Sequence, residues 1–169
     1  EKNGLSASLI GPIIEGENNE LWIATDGGGL NCYDRDTGNF KWYRHKDTGN
    51  GLSKNIVKSL YYDKKRKAVW IGTHQGGLNK LDLQTEQISV YGICEKAGRN
   101  DIVLSIVPYR DKLVISTHDG IFLFDPDTNQ SALLINTFSH YLMMDSNDRL
   151  WAAVEGTGVY CYDMKNKHL

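Results

Sequence analysis

The sequence predicts an all-β fold: a β-propeller fragment of about four blades, each of four antiparallel strands, with the last blade incomplete. Three observations predict it. A strand, glycine turn, strand core recurs four times along the 169 residues. Short apolar segments fall at even spacing between Gly and Asp turns. Nothing in the chain reads as a helix.

The recurring core is "LWIATDGGGLNCYD" (Leu21–Asp34), "VWIGTHQGGLNKLD" (Val69–Asp82), "LVISTHDGIFLFD" (Leu113–Asp125) and "LWAAVEGTGVYCYD" (Leu150–Asp163). Its closing aspartates stand 48, 43 and 38 residues apart, around the roughly 40–50-residue period of propeller blades. Within each core, strand B precedes the glycine turn and strand C follows it. Strand A comes earlier, as "LIGPIIE", "IVKSLYYD", "IVLSIVPY" and "FSHYLMMD", and reaches B through the polar turns "GENNE", "KKRKA", "RDK" and "SNDR". The first three closing aspartates open turns ("DRDTGNF", "DLQTEQI", "DPDTNQS") that lead into strand D. An Asp at such a position accepts backbone N–H bonds. "NGLSASLI" and "NGLSKNIV" match as joins between units, and "GRNDIV" is a degenerate third.

This grammar gives fifteen strands. Blade one covers about residues 9–45, blade two 56–92, blade three 102–135, and blade four 138–163, lacking its outer strand. Radial sheets pack face to face, so both faces of a strand are buried. Segments such as "LWIAT" are accordingly apolar almost throughout and do not alternate strictly. Three and three-quarter blades, flanked by a join, read as part of a larger ring. An open array leaves apolar faces at its two ends. Self-association through them is expected, two copies then approximating an eight-bladed ring.

The triplet Gly27–Gly29 invites a phosphate-loop reading. Such a loop precedes a helix and supplies a Lys-Ser/Thr pair; here a strand follows, and the glycines recur with the blade period, as turns do. A net charge of −2 with no basic stripe argues against nucleic acid. The cationic run Lys64–Lys67 falls on a hairpin tip, where solvated charge is ordinary. No apolar run reaches the roughly 20 residues needed to span a bilayer, so no membrane insertion is expected of this segment. It begins at Glu1 and is read as a section of a longer protein. Cys32, Cys94 and Cys161 fit no zinc spacing.

Taken together, "NGLSxNxV", "LWIGTxxGGL" and "YDxxTGxFxxY" resemble the two-component regulator propeller repeats found in sensor regions of Bacteroidetes hybrid two-component systems. The likeness covers essentially the whole chain. Trp22, Thr25, Gly28, Gly29 and Leu30 carry it in unit one. Trp70, Gly72, Thr73, Gly76, Gly77 and Leu78 carry it in unit two, and Gly51, Leu52 and Ser53 in the join. Unit three has Val114 for Trp, and unit four has Ala153-Val154 for Gly-Thr. The resemblance implies a periplasmic sensor, anchored through a later membrane helix to a histidine kinase. It also implies an oligosaccharide or other small ligand, further blades as neighbours, and no cofactor.

The residue after each Thr/Val step stands on one rim: Asp26, His74, His118 and Glu155. Gln75 and Asp119 follow two of them, and Asn55, Arg99 and Asn100 come from the joins on the same rim. Convergent polar groups of this kind suit sugar hydroxyls, although polar residues are also ordinary hairpin-turn chemistry. A metal is not expected, because different blades hold the two His and the acids apart. Trp22, Trp70 and Trp151 occupy matching strand-B positions and read as inter-blade packing. Trp42 and Tyr43, on an outer strand, are candidates for a sugar-stacking platform. An enzyme is the competing class: "DRDTGNFKW" resembles the repeat of pyrroloquinoline-quinone dehydrogenases, but units two and three lack its Gly and Trp. No nucleophile elbow, H-E-x-x-H or paired-carboxylate motif is present. A protein-interaction propeller is the third class, without the Trp-Asp signature of that family.

Overall fold

The computed structural model describes residues 3–94 and 101–168, and it contains fifteen strands and no helix. Sheet I runs β1 (Ile10–Glu15), β2 (Glu20–Thr25), β3 (Gly29–Asp34) and β4 (Phe40–Tyr43). Sheet II runs β5 (Val57–Asp63), β6 (Ala68–Thr73), β7 (Leu78–Asp82) and β8 (Ile88–Tyr91). Sheet III runs β9 (Val103–Tyr109), β10 (Lys112–Thr117), β11 (Gly120–Asp125) and β12 (Gln130–Ile135). Sheet IV has β13 (Ser139–Met144), β14 (Arg149–Val154) and β15 (Gly158–Asp163). Each sheet is an antiparallel meander in chain order. Their first strands touch in succession, β1 to β5, β5 to β9 and β9 to β13.

Alternate residues of one strand serve two different cores. Trp22, Ala24, Leu30 and Cys32 of sheet I pack against Val57, Leu60, Val69 and Ile71 of sheet II. Trp70 and Leu78 leave the opposite face of sheet II for Val103, Ile106, Ile115 and Phe124 of sheet III. Val114 and Ile121 then meet Leu142, Leu150, Ala152 and Tyr162 of sheet IV. All six residues of β6 are buried. This is why the second strands read as continuous apolar runs: each of their faces has its own neighbour.

The paired glycines divide two tasks. A Cβ on Gly76 would lie 2.5 Å from Ser53 Oγ and 2.7 Å from Thr73 Oγ1, so this glycine makes room for the incoming join. Gly77, at φ +70°, turns the chain in the left-handed region. A Cβ there would approach the Tyr91 carbonyl to 2.9 Å. Gly28 and Gly29 do the same for Ser6 and the Tyr43 carbonyl. Beside them Thr25 and Thr73 donate their hydroxyls to the carbonyls of Gly29 and Gly77, at 2.7 and 2.9 Å.

The closing aspartates form the turns expected of them, and the fourth does so too. Asp163 accepts the N–H groups of Lys165 and Asn166 at 2.8 and 3.0 Å. Asp163 N–H then reaches His168 O, as Asp34 N–H reaches Asn39 O and Asp82 N–H reaches Gln87 O. His168 therefore stands at the point from which β4 and β8 run in their sheets.

Trp22 and Trp70 pack between sheets as expected, whereas Trp151 is half-buried and stays out of the core between sheets III and IV; the three N–H groups are also treated differently. Trp70 and Trp151 donate to Asp63 and Asp145. Gly16 occupies the matching position in sheet I, and the buried Trp22 Nε1 has no partner among the described residues. The three cysteines are free thiols. Cys32 lies in the core between sheets I and II, where burial pushes its thiol up to about 12.

Three outcomes follow. Leu78→Ala, deep between sheets II and III, should cost about 2–5 kcal/mol, read as a drop in the urea midpoint. Cys32 should resist a thiol reagent at neutral pH until the protein unfolds, because the reactive species is the thiolate; labelling with mass spectrometry checks this. Asp34 and Asp82 are held below the ordinary carboxylate range chiefly by their turn donors, the Thr37 hydroxyl and the Thr85 N–H, and Asp163 by the Asn166 N–H. A depressed carboxylate adds stability above its unfolded value of about 3.9 and loses it as pH falls through the folded value. The melting temperature should therefore decline on acidification below about pH 4, and a Tm–pH series measures it.

Candidate functional site

The turns between the second and third strands of every sheet share one rim with the joins. The join after sheet I bonds directly to the glycine turns of both sheets it connects: Gly27 and Gly29 of sheet I donate to Asn55 O at 3.1 and 2.9 Å, and His74 N–H of sheet II reaches Ile56 O at 2.9 Å. Gly77 N–H reaches Asp101 O in the same way. Polar side chains that follow the second strands stand on this framework.

A β-bulge recurs near the start of every first strand, between Ile10 and Ile13, Val57 and Ser59, Val103 and Ser105, and Ser139 and Tyr141. A bulge breaks the two-residue alternation and re-aims a side chain. Lys58, at the bulge of β5, extends its ammonium to Asp26 of sheet I at 3.1 Å. His140, the matching residue of β13, lies with Nε2 3.6 Å from Glu155 Oε2. Its ring packs edge-on against Phe138 at 4.7 Å, and Phe138 in turn meets His118 of sheet III at 5.3 Å. His118, Phe138, His140 and Glu155 thus form one accessible patch across sheets III and IV. It combines an aromatic face, two imidazoles and a carboxylate.

The rim residues named from the sequence separate into groups. His118 and Glu155 are brought together through Phe138 and His140. Asp26 is engaged by Lys58 on sheets I and II. His74 is half-buried, and Gln75 is exposed at φ +59° in the glycine turn of sheet II. Asn55 is occupied: its Oδ1 accepts His45 N–H at 2.7 Å, which fixes the join to the chain leaving β4. Arg99 and Asn100 lie outside the described residues. Trp42 is no open platform, since its Nε1 donates to Gly4 O at 2.8 Å and Arg44 stacks on its ring. Tyr43 packs on Trp22.

Sequence reasoning missed Lys58, Phe138 and His140, because the bulge that aims two of them leaves no mark in the hydrophobic pattern. It also missed a grouping of Cys94, Asp101 and Asp119, whose ligand-type atoms lie within 4.8 Å of one another. Asp101 matches Asn55 in the repeat, and its Oδ2 accepts the N–H groups of Ile93 and Cys94 at 2.8 and 3.1 Å. The carboxylate is thereby held by the backbone in a joining role. A cleft of about 510 Å³ lies beside it, lined by Cys94, Asp119, Phe122, Ser131 and Leu133 among others.

If Asn55 is a clamp, Asn55→Ala should lower the melting temperature while leaving ligand affinity at the rim within about twofold. Calorimetry on the folded variant separates the two effects.

No family model matches the chain, and no curated protein does. Solved structures do match. The chain superposes on the extracellular domain of a putative hybrid two-component system from B. thetaiotaomicron with a TM-score of 0.76 at 24% identity, over 95% of its own length and 22% of that chain. A second such domain from the same organism gives 0.51 at 20% identity, over 95% and 28%. PorZ, a surface component of the type-IX secretion system of Porphyromonas gingivalis, gives 0.69 at 13% identity, over 97% and 22%. The chain therefore spans about a quarter of each of these proteins or less, and what it shares with them is the fold. No helix among the described residues is long and apolar enough to cross a membrane.

Proposed function

We propose that this chain forms successive blades of a β-propeller in the periplasmic, extracytoplasmic part of a hybrid two-component sensor. Its role there is non-catalytic ligand sensing. The fold shared with two extracellular domains of such systems supports the reading. So does the order of the sheets, three four-strand meanders and one of three strands, each packed on the next through its face. The histidine kinase of the system would lie in another part of the parent protein.

The observation that carries the ligand reading is the patch of His118, Phe138, His140 and Glu155. A sugar ring has one apolar face and a rim of hydroxyls. Phe138 offers the apolar contact, and the imidazoles and Glu155 offer donors and acceptors that fix orientation. An oligosaccharide is therefore the ligand class proposed, with Asp26 and its partner Lys58, His74, Gln75 and Asp119 lining the same rim for a longer sugar chain.

The test is a thermal-shift and calorimetric screen of the protein against oligosaccharides from complex glycans. A binder should lose roughly tenfold or more in affinity on Phe138→Ala or His118→Ala, the cost of removing one ring contact or hydrogen bond of about 1.4 kcal/mol. A hit that tolerates both substitutions would sink the rim site. A second reading, a protein-binding scaffold, is favoured by the likeness to PorZ. Under that reading no oligosaccharide binds, and the same rim substitutions weaken a protein partner instead.

A further inference from the structure

The interfaces between adjacent sheets differ at the edge away from the glycine turns. Between sheets II and III that edge is filled. Trp70 packs on Phe124 at 5.8 Å and on Tyr91 at 5.5 Å, and its N–H goes to Asp63. Arg66 then crosses to Asp127 of sheet III at 3.1 Å. Between sheets III and IV the register puts other residues in each of these places. Val114 stands for Trp70, Tyr109 for Asp63 and Tyr162 for Phe124. Lys165 stands two residues past its closing aspartate, where sheet III has Asp127. With valine in place of the indole, a cleft of about 370 Å³ remains. Its apolar lining is Tyr109, Leu123, Leu134, Tyr162 and Met164, the last two buried. Its polar lining is Arg110, from the turn after β9, with Lys165 and Lys167 from the turn after β15, all exposed. Cations thus stand on both sides, where sheets II and III set Arg66 against Asp127. Asp148 lies among them, its Oδ2 3.6 Å from Arg110 and 3.5 Å from Lys165. One carboxylate against three cations leaves the mouth positive. The matching notch between sheets I and II, of about 330 Å³, carries Glu17, Glu20 and Glu86 beside Lys41 and Lys67, so it has no such bias. That notch draws no lining residue from β8, so a site of this type is complete with three strands of the sheet that follows.

We propose that the cleft between sheets III and IV binds a small organic carboxylate with an aromatic body. The ring takes the place against Tyr162 that the indole of Trp70 holds against Phe124, and Met164, Leu123 and Leu134 complete its apolar surround. The carboxylate takes the place of Asp148 as partner of Arg110 and Lys165, and a guanidinium pairs well with a planar carboxylate. Neither half suffices by itself. An ion pair at an exposed mouth is worth little, and an uncharged ring leaves the cations to Asp148. A cleft of this size, apolar with a few convergent polar groups, has the form of a small-molecule site. It lies at the opposite end of the strands from the patch of His118, Phe138, His140 and Glu155, so it stands apart from the sugar reading.

Calorimetric titration of the 169-residue protein with phenylacetate tests it, with phenylethanol and acetate as controls. Phenylacetate should bind at one site, and each control about tenfold more weakly or worse, since each lacks one of the two contacts. Arg110→Gln and Lys165→Gln change exposed side chains and should keep a native near-UV circular dichroism spectrum. Each should weaken phenylacetate about threefold or more. Asp148→Asn removes the competing carboxylate and keeps a residue that tolerates φ +62°. It should tighten phenylacetate about threefold, an effect opposite to that of a merely structural lesion. Phe138→Ala should leave phenylacetate binding unchanged. The inference is overturned if phenylacetate does not bind up to its solubility limit, or binds no better than the alcohol. Binding that ignores both cation variants, that weakens with Asp148→Asn, or that is lost with Phe138→Ala would overturn it too.

Discussion

Burial of sheets face against face is the constraint on which the rest of this molecule depends. A strand that contacts solvent on one side needs apolar residues at every second position only. Here successive residues of one strand enter different cores, as Val69 and Ile71 do on one side of Trp70. The hydrophobic effect then demands apolar side chains at nearly every position of the second strands, and close packing demands that facing residues match in size. Polar groups are admitted where a partner is built in: Asp63 takes the indole of Trp70 and the guanidinium of Arg66. Trp22, opposite Gly16, is the exception that shows the rule was applied unit by unit.

The rim follows from the same constraint. Stacked sheets need their connections at the edges, so glycine turns and joins are forced into one layer. The joins are then fixed by a small set of polar contacts. Ser6 and Ser53 each exchange bonds with the amide of Asn31 and Asn79, and Asn3 and Asn50 each receive the N–H of the residue that opens the outer strand. Once the turns and joins are immobile, the side chains above them are held on a rigid scaffold, as recognition surfaces on loops commonly are. The recurrent bulge adds the last element. It takes one residue of each first strand out of the sheet's alternation, and in sheets II and IV those residues, Lys58 and His140, meet rim side chains.

A repeated interface also sets how stability is distributed along the array. The first and last sheets carry the same apolar positions as the inner ones because the repeat encodes both faces of every sheet. Stability in such an array is close to a sum over sheets and their mutual contacts.

The period of the repeats, the strand order within each sheet and the turn chemistry were legible in the sequence. Each rests on local rules: a left-handed turn needs Gly77, an Asx turn needs Asp82, and apolar runs mark strands buried on both faces. The family resemblance lay in the same local motifs. The roles of individual rim residues were less accessible. Asn55 read as a candidate ligand contact from a join, yet the tertiary structure turns its side chain, and that of Asp101 at the matching position, to backbone N–H groups of the preceding chain segment. Trp42 read as a platform, and a contact with Gly4, far away in sequence, closed it. His118, Phe138, His140 and Glu155 come from sheets III and IV and the link between them, and only the packing of sheet IV on sheet III and a bulge in β13 set them side by side. Sequence by itself determined the repeating unit, because that depends on neighbours within a few residues. Which polar side chains stay available at the rim was decided by tertiary structure, because that depends on which backbone donors the adjacent sheet leaves unpaired.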